Sequence, residues 1–195
     1  MPIKHLRSFV CLAIVFIAIS QPSSASGLVL NGERFSPRVS IGDIPLAIRG
    51  GATFHYLFWT LYSAVLYVPP NTPFSAALED VPRHLELAYH RSIERARFVE
   101  AAEAVLARSL DQGALEKVRG RVDLFHEKYT DVAEGDRYVL RYAPGSGTTL
   151  AFNGAPLVTV PGSDFAKAYF GIWLGDGSLD ANLQAALLGD ESASN

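Results

Sequence analysis

The chain has 195 residues, a formal net charge of −3 and a hydrophobic fraction of 49%, which together indicate one globular domain with a substantial core. Its 17 Lys and Arg residues are outnumbered by 20 Asp and Glu residues and form no basic stripe, so nucleic-acid binding is not expected. Cys11 is the only cysteine, which excludes a disulfide framework and a metal site built on cysteines.

The N-terminus has the composition of a secretory signal peptide. Basic side chains precede an uncharged apolar run at residues 8–20, and small residues follow it. The run is shorter than the roughly 20 residues of a membrane-spanning helix, and Cys11 lies inside it rather than at a cleavage junction, which argues against a lipid anchor. We expect residues 1–26 to be removed near Ala25-Ser26. The mature protein would then have no transmembrane span and be periplasmic or secreted.

The mature domain is predicted to cover residues 27–189, with a polar tail at residues 190–195. Prolines interrupt short apolar stretches between positions 27 and 50, which predicts short strands joined by turns. Residues 54–68 read FHYLFWTLYSAVLYV and predict one long strand or two consecutive strands. A membrane hairpin is the competing interpretation, but the polar residues within this short run favour buried strands.

A strand and two helices are predicted next. Residues 85–90 alternate as a strand, and Ser92 is expected to cap a helix that ends near Leu110. Asp111 is expected to cap a second helix, whose apolar residues recur at helical spacing. The charges on both helices are explained most simply by a solvated face.

Period-two alternation returns after Tyr129 and predicts three antiparallel strands, the last two joined by Asn153-Gly154, a strong hairpin signal. Two further helices are predicted, the first capped by Ser163 and closed by Gly175. The element order predicts an α+β domain in which an antiparallel sheet is covered by helices on one side.

Three segments resemble the bacterial chalcone isomerase-like family. They are LYSAVLYVP at 61–69, YTDVAEGDRYVLRYAPGSGTTLAFNG at 129–154 and GSDFAKAYFGIWLGDGSLDANLQAALLG at 162–189. The resemblance implies a chalcone isomerase-like open-faced sandwich, in which a large antiparallel β-sheet and a layer of α-helices enclose an apolar cleft. In the plant enzymes this cleft holds a chalcone that is cyclised to a flavanone, and non-catalytic relatives hold fatty acids in it.

The chain departs from the pattern of the catalytic members. They need a cation near the substrate phenolate and place an arginine shortly after a glycine pair, where this chain has Phe54 or His55 and its nearest arginine, Arg49, precedes the glycines. They also use a tyrosine, a lysine and an asparagine along the first long helix. The corresponding positions here are Phe98, Ala101 and Val105. The helix at residues 94–110 contains none of the three residue types, whatever the register.

Seven residues remain as candidates for binding a ligand. They are Arg49, His55, Tyr56, Phe58, Tyr62, Tyr67 and Arg91. Tyr89 and His90 are further polar residues left for recognition. Tyr62 and Tyr67 are five positions apart in an extended strand, so only one of them can face a given cleft. His55 and Arg49 are the candidates for catalysis, although a lone histidine is more often a packed residue. Arg91 could receive a carboxylate, but a salt bridge with Glu86 or Glu94 is the simpler expectation.

No cofactor and no metal are predicted. The histidines and carboxylates lack metal-ligand spacing, and no GxSxG motif supports a serine hydrolase.

Three functions stay open. The preferred one is an exported, non-catalytic protein that binds a small amphipathic or aromatic ligand such as a fatty acid, with the tail among Phe54, Phe58 and Trp59 and the head near His55 or Arg49. The alternative is an intramolecular lyase or isomerase of the chalcone isomerase type. A structural protein of the cell envelope is the third.

Overall fold

A seven-stranded antiparallel sheet carries four helices on one face and a small hairpin on the other in the computed structural model, which describes residues 27–189. The predicted signal peptide and the predicted polar tail lie outside the described residues. The strands are β1 (Leu28–Leu30), β2 (Glu33–Phe35), β3 (Arg38–Ile41), β4 (Ile44–Tyr56), β5 (Trp59–Val68), β6 (Arg83–Tyr89), β7 (Arg137–Ala143), β8 (Gly147–Phe152) and β9 (Ala155–Val160). The helices are α1 (Arg95–Ser109), α2 (Gln112–His126), α3 (Ser163–Leu174) and α4 (Ala181–Leu188), with a 3-10 turn at Phe74–Ala76.

The sheet follows the chain order from β3 to β9, and each strand is antiparallel to the next. Helices α1 and α2 are inserted between β6 and β7, which are neighbours in the sheet. Helix α3 packs against α1 and α2. Helix α4 packs against β4, which is next to the edge strand β3 of the sheet. These connections build the predicted α+β architecture, with the main core between the sheet and the helices.

The aromatic run at 54–68 forms two strands rather than one. Strands β4 and β5 are antiparallel partners in which Tyr56 pairs with Trp59, so the turn between them consists of Leu57 and Phe58 alone. Side chains alternate beyond this turn, because successive residues of a strand point to opposite faces. Tyr62 belongs to the core under the helices and Tyr67 to a smaller core on the other face, which confirms that they diverge.

The glycine pair allows close packing on both faces of β4. A Cβ atom on Gly50 would lie 2.1 Å from the carbonyl oxygen of Ala186, and one on Gly51 would lie 3.1 Å from a methyl carbon of Leu28. Any larger residue would therefore clash with α4 at position 50, and at position 51 with β5, where the Ala64 oxygen is 2.8 Å from the added Cβ, as well as with β1.

The second face of the sheet is partly covered, which the sequence did not predict. The β1–β2 hairpin packs there, and Phe35, Tyr67 and neighbouring residues form a second small core. The Arg137 guanidinium holds the hairpin by pairing with Glu33 of β2 and Glu86 of β6, at 2.5 Å in each case.

Several local signals in the sequence are confirmed. The Asp111 side chain caps α2 by accepting a hydrogen bond from the backbone N–H of Ala114 at 2.9 Å. Asn153 and Gly154 have φ values of 47° and 84° and form the turn between β8 and β9, as expected for a two-residue hairpin.

Two predicted helix starts are wrong. Helix α1 begins after Glu94 rather than after Ser92, because Ile93 is still held extended by a bridge to the segment that follows α2. Helix α3 has Gly162 as its N-cap, with φ of 105°, and Ser163 is its first residue.

Candidate ligand-binding cleft

A cleft of about 770 Å³ lies between the sheet and helices α1 and α3. Its volume falls within the roughly 300–1,000 Å³ typical of small-molecule sites. The sheet supplies one wall, which includes Phe54, Tyr62, Leu87, Tyr89, Tyr138 and Leu140. The helices supply the other wall, which includes Phe98, Ala101, Ile172 and Trp173. The cleft is thus predominantly apolar and aromatic.

Tyr89 is the centre of the aromatic wall. Its ring meets those of Phe98, Tyr62 and Tyr138 edge-on, with centroid distances of 5.5, 5.7 and 6.1 Å. Edge-to-face contacts of this kind stabilise a fixed arrangement of rings. The wall is therefore preformed.

Most hydroxyl groups of the cleft are already engaged within the protein. Trp173 donates its indole N–H to the hydroxyl of Tyr62 at 3.2 Å, and the hydroxyls of Tyr169 and Tyr129 share a hydrogen bond of 3.1 Å. The hydroxyl of Tyr89 forms no hydrogen bond with any residue between 27 and 189. This hydroxyl is therefore available to a ligand.

The tyrosines of the cleft remain uncharged at physiological pH. Burial raises the pKa values of Tyr62 and Tyr129 above the ordinary tyrosine value. Burial, reinforced by the neighbouring tyrosines, does the same to the pKa of Tyr89. These groups can donate and accept hydrogen bonds, but none supplies a negative charge or a ready base.

The charged residues of the cleft lie at its mouth. Arg97 pairs with Glu100 on the surface of α1 at 3.0 Å. The guanidinium carbon of Arg91 instead lies 4.1 Å from the centre of the Trp59 ring, a cation–π contact. Within the described part of the chain no carboxylate lies within 4.0 Å of Arg91.

The simple expectation that Arg91 pairs with Glu86 or Glu94 is therefore wrong. Glu86 is taken by Arg137, and it lies on the opposite face of the sheet from the cleft. Arg91 thus lies at the mouth with its guanidinium against an aromatic ring and with no acidic partner in the described range 27–189.

The structure brings three of the seven candidate residues to the cleft. Tyr56, Tyr62 and Arg91 contribute to its lining. The Arg49 side chain donates to the carbonyl oxygen of Leu188 at 2.6 Å and to that of Thr72 at 3.2 Å, so it holds the end of α4.

The other three candidates lie apart from the cleft lining. His55 is exposed, and its Nδ1 lies 3.1 Å from the hydroxyl of Thr60. Phe58 is 96% exposed at the tip of the β4–β5 hairpin. Tyr67 is fully buried on the opposite face of the sheet.

The positions that matched the plant catalytic residues carry no charge into the cleft. Phe98 and Ala101 contribute to its helical wall, and Phe54 contributes to its sheet wall. Val105 is buried in the core. The arrangement can enclose an apolar molecule and offer it a tyrosine hydroxyl and, at the mouth, a guanidinium.

Several cleft residues were not among the predicted site residues. They are Phe98, Tyr129, Tyr138 and Trp173. Tyr89, which the sequence offered for polar recognition, pairs with Tyr62 across β5 and β6, and the two share the cleft face because paired residues lie on the same face of a sheet.

A second depression of about 820 Å³ lies among α2, α3, α4 and the end of α1. Lys167 at its edge pairs with Glu79 at 3.3 Å, and Asp164 pairs with Arg121 at 2.6 Å. Two of the charged residues that line it are thus already paired within the protein.

Residues 27–189 contain neither a membrane-spanning helix nor a cluster of metal ligands. No helix there has both the length and the apolar composition needed to cross a membrane. No three His, Asp or Glu side chains in that range come together as potential metal ligands.

Comparison with known proteins supports the resemblance seen in the sequence. The model of the chalcone isomerase-like family matches residues 28–189, whereas no curated protein matches. Among solved structures, a fatty-acid binding protein of Arabidopsis thaliana has a similar fold, with a TM-score of 0.64 and 18% sequence identity over 87% of this chain and 98% of that chain. At this identity the likeness concerns the fold alone. With the family match spanning the sheet and all four helices, the chain belongs to the chalcone isomerase-like family.

Proposed function

We propose that this protein binds a fatty acid or a similar amphipathic ligand in the cleft without transforming it. The observation that carries the proposal is a preformed aromatic cleft whose charged residues lie at its mouth, where Arg91 has no carboxylate partner among residues 27–189.

An acyl chain suits the interior of this cleft. Leu87, Leu140, Phe54 and Ile172 present apolar surface, and the tyrosines among them are uncharged. Burial of each methylene group contributes about 0.8 kcal/mol. A carboxylate placed among these residues would lose its hydration without gaining a cation.

The head of the ligand therefore belongs at the mouth. The Arg91 guanidinium can pair with a carboxylate there, and Trp59 holds the guanidinium in place. The Tyr89 hydroxyl offers a further hydrogen bond inside the cleft to a ligand that carries a polar group along its chain. The fold shared with a plant fatty-acid binding protein agrees with this choice of ligand.

Export of the protein is part of the proposal and depends on the N-terminal composition. A basic segment, an apolar run and a cluster of small residues precede the domain. A lipid ligand would then be bound in the periplasm or outside the cell.

The proposal is tested by native mass spectrometry and lipid extraction on protein recovered from cells. Wild-type protein should carry a fatty acid or related lipid. Ala101→Trp should prevent its binding, because Ala101 lies in the helical wall and an indole there would fill the cleft. Ala107→Trp is the matched control, since Ala107 is an exposed residue of the same helix.

The isomerase alternative is tested on the same samples with naringenin chalcone. The proposal expects ring closure at the spontaneous rate in the wild type and in His55→Ala and Tyr89→Phe. Turnover well above that rate, lost in either variant, would overturn the non-catalytic assignment. A cleft that binds neither lipid nor chalcone would favour the structural role.

A further inference from the structure

The tip of the β4–β5 hairpin exposes four large apolar or amphipathic side chains in sequence. They are Tyr56, Leu57, Phe58 and Trp59, called the tip below. Leu57 is 77% exposed and Phe58 is 96% exposed. Other large hydrophobic residues that are exposed within residues 27–189, such as Val29 and Leu124, have no such neighbours along the chain. A contiguous apolar surface of this kind marks an interaction site more often than single exposed residues do.

The backbone conformation of the hairpin turn does not explain why leucine and phenylalanine occupy it. Leu57 has a φ of 54°, a conformation that costs a residue with a Cβ atom about 1–2 kcal/mol. Two-residue hairpins prefer glycine or asparagine there. The β1–β2 and β8–β9 hairpins of this same chain have Asn31-Gly32 and Asn153-Gly154 at their turns. The tip therefore exposes two large apolar side chains, Leu57 and Phe58, and the backbone conformation at Leu57 disfavours the residue found there.

The charge around the tip differs from that of the whole chain. The chain has 20 Asp and Glu residues, but residues 44–78 contain none. His55 lies beside the tip, and the Arg91 guanidinium rests on Trp59. The acidic residues near the mouth, Glu94 and Glu100, belong to the helical side of the cleft.

We propose that the tip docks the protein on an anionic lipid bilayer. Leucine and phenylalanine partition into the acyl boundary, whereas tryptophan and tyrosine favour the interface between headgroups and acyl chains. Arg91 lies where it would meet the headgroups and adds attraction to anionic lipids. The exposed apolar side chains of the tip, the unfavourable backbone conformation at Leu57 and the absence of acidic residues between positions 44 and 78 are all consistent with a bilayer as the partner.

Docking would also place the mouth of the cleft at the bilayer surface. Tyr56 and Arg91 belong both to the tip region and to the cleft lining. A ligand could then pass between bilayer and cleft without crossing water. The docking step depends on the tip alone, and its use in ligand transfer rests on the proposed function.

The test is co-sedimentation with vesicles of phosphatidylglycerol and phosphatidylcholine. Variants are compared with wild type in the same full-length expression background, so that any N-terminal contribution is common to all. We expect Phe58→Ser to weaken vesicle binding about tenfold. Leu124→Ser, an exposed apolar residue of α2, should leave it unchanged. Arg91→Gln should lower the preference for anionic over neutral vesicles.

Tryptophan fluorescence tests whether the tip is the part of the protein that contacts the bilayer. The chain has two tryptophans, of which Trp59 is 57% exposed at the tip. Vesicles with brominated acyl chains should quench Trp59 in the wild type, and the quenched component should vanish in Trp59→Phe.

Two results would overturn the docking proposal. One is equal binding to vesicles by wild type and Phe58→Ser. The other is a concentration-dependent dimer that Phe58→Ser abolishes, since the tip would then bind a second copy. Fatty-acid binding in solution is measured separately on the same variants. An absence of fatty-acid binding by the wild type, with its vesicle binding intact, would count against the proposed function and leave docking in place.

Discussion

Arg91 lies at the mouth of the cleft with Trp59 beneath its guanidinium and no acidic partner among the described residues. We expect Arg91→Ala to weaken fatty-acid binding by roughly five- to tenfold, because one charge-assisted hydrogen bond at a partly solvated site is lost. A displacement titration with a fluorescent fatty acid measures the effect.

Two controls separate this charge effect from a general disturbance. Arg38→Ala removes an exposed arginine of β3 and should leave the affinity unchanged. The methyl ester of the same fatty acid should bind wild type and Arg91→Ala equally well. An ester as sensitive to the substitution as the free acid would exclude the assigned contact.

Arg49 and His55 show why strand alternation alone did not locate the site residues. The pairing of β4 with β5 shifts between Ile48 and Gly50, so Arg49 is an extra residue in a bulge, and its side chain reaches α4. A second shift lies between Phe54 and His55. Bulges redirect side chains, and a single sequence does not reveal them. Tyr62 lies between the two shifts, and it faces the cleft whereas Tyr67 does not, in keeping with the prediction that only one of them can.

At the scale of elements, the link between β4 and α4 gives a stability prediction. Arg49→Ala removes two hydrogen bonds to carbonyl oxygens, those of Leu188 and Thr72. We expect a loss of about 1–3 kcal/mol in the free energy of unfolding, measured by urea denaturation. Affinity for a fatty acid should stay within twofold of wild type. A tenfold loss of affinity at unchanged stability would instead place Arg49 in the ligand site.

The Arg137 ion pairs that hold the β1–β2 hairpin include Glu86 of β6, and this carboxylate gives a prediction for how stability depends on pH. Burial tends to raise the pKa of Glu86, but its hydrogen bond to Arg137 and the nearby His84 outweigh burial, and the net pKa lies below the ordinary value. Glu86 thus contributes stability above the pKa of an unfolded glutamate, about 4.3, and that contribution disappears as pH falls through the lower folded value.

We therefore expect Glu86→Gln to lower the free energy of unfolding at pH 7 and to flatten its decline between about pH 5 and 3. Thermal unfolding across this range measures both effects. Asp43→Asn, in the exposed turn between β3 and β4, is the control. It should leave the decline of the free energy of unfolding at acid pH as steep as in the wild type. An unchanged slope in Glu86→Gln would show that this carboxylate does not couple folding to pH.

Most elements follow directly from local sequence signals. Asp111 and Asn153-Gly154 act as their residue types predict, because these signals involve only neighbouring backbone groups. The starts of α1 and α3 differ from prediction. In α1, the β-bridge between Ile93 and Val132 prevents Ser92 from acting as the cap. The two bridge residues are too far apart in the chain for a local sequence pattern to reveal their pairing.

At the scale of the whole molecule, the sequence predicted the α+β architecture and the helical layer, and the family match confirms the resemblance. The hairpin on the second face was not predicted. Its strands have three residues each, too few to show alternation, and the second core joins residues far apart in the chain. The cleft likewise depends on strand order, which brings Tyr62, Tyr89 and Tyr138 side by side.

The most direct test of the binding proposal is a crystal structure of the protein with a fatty acid that carries bromine on its terminal carbon. We predict an anomalous bromine peak inside the cleft near Leu140 and Ile172, with the carboxylate within hydrogen-bonding distance of Arg91. A bromine peak in the depression beside α4, or a carboxylate buried among the tyrosines with the tail at the mouth, would contradict the proposal.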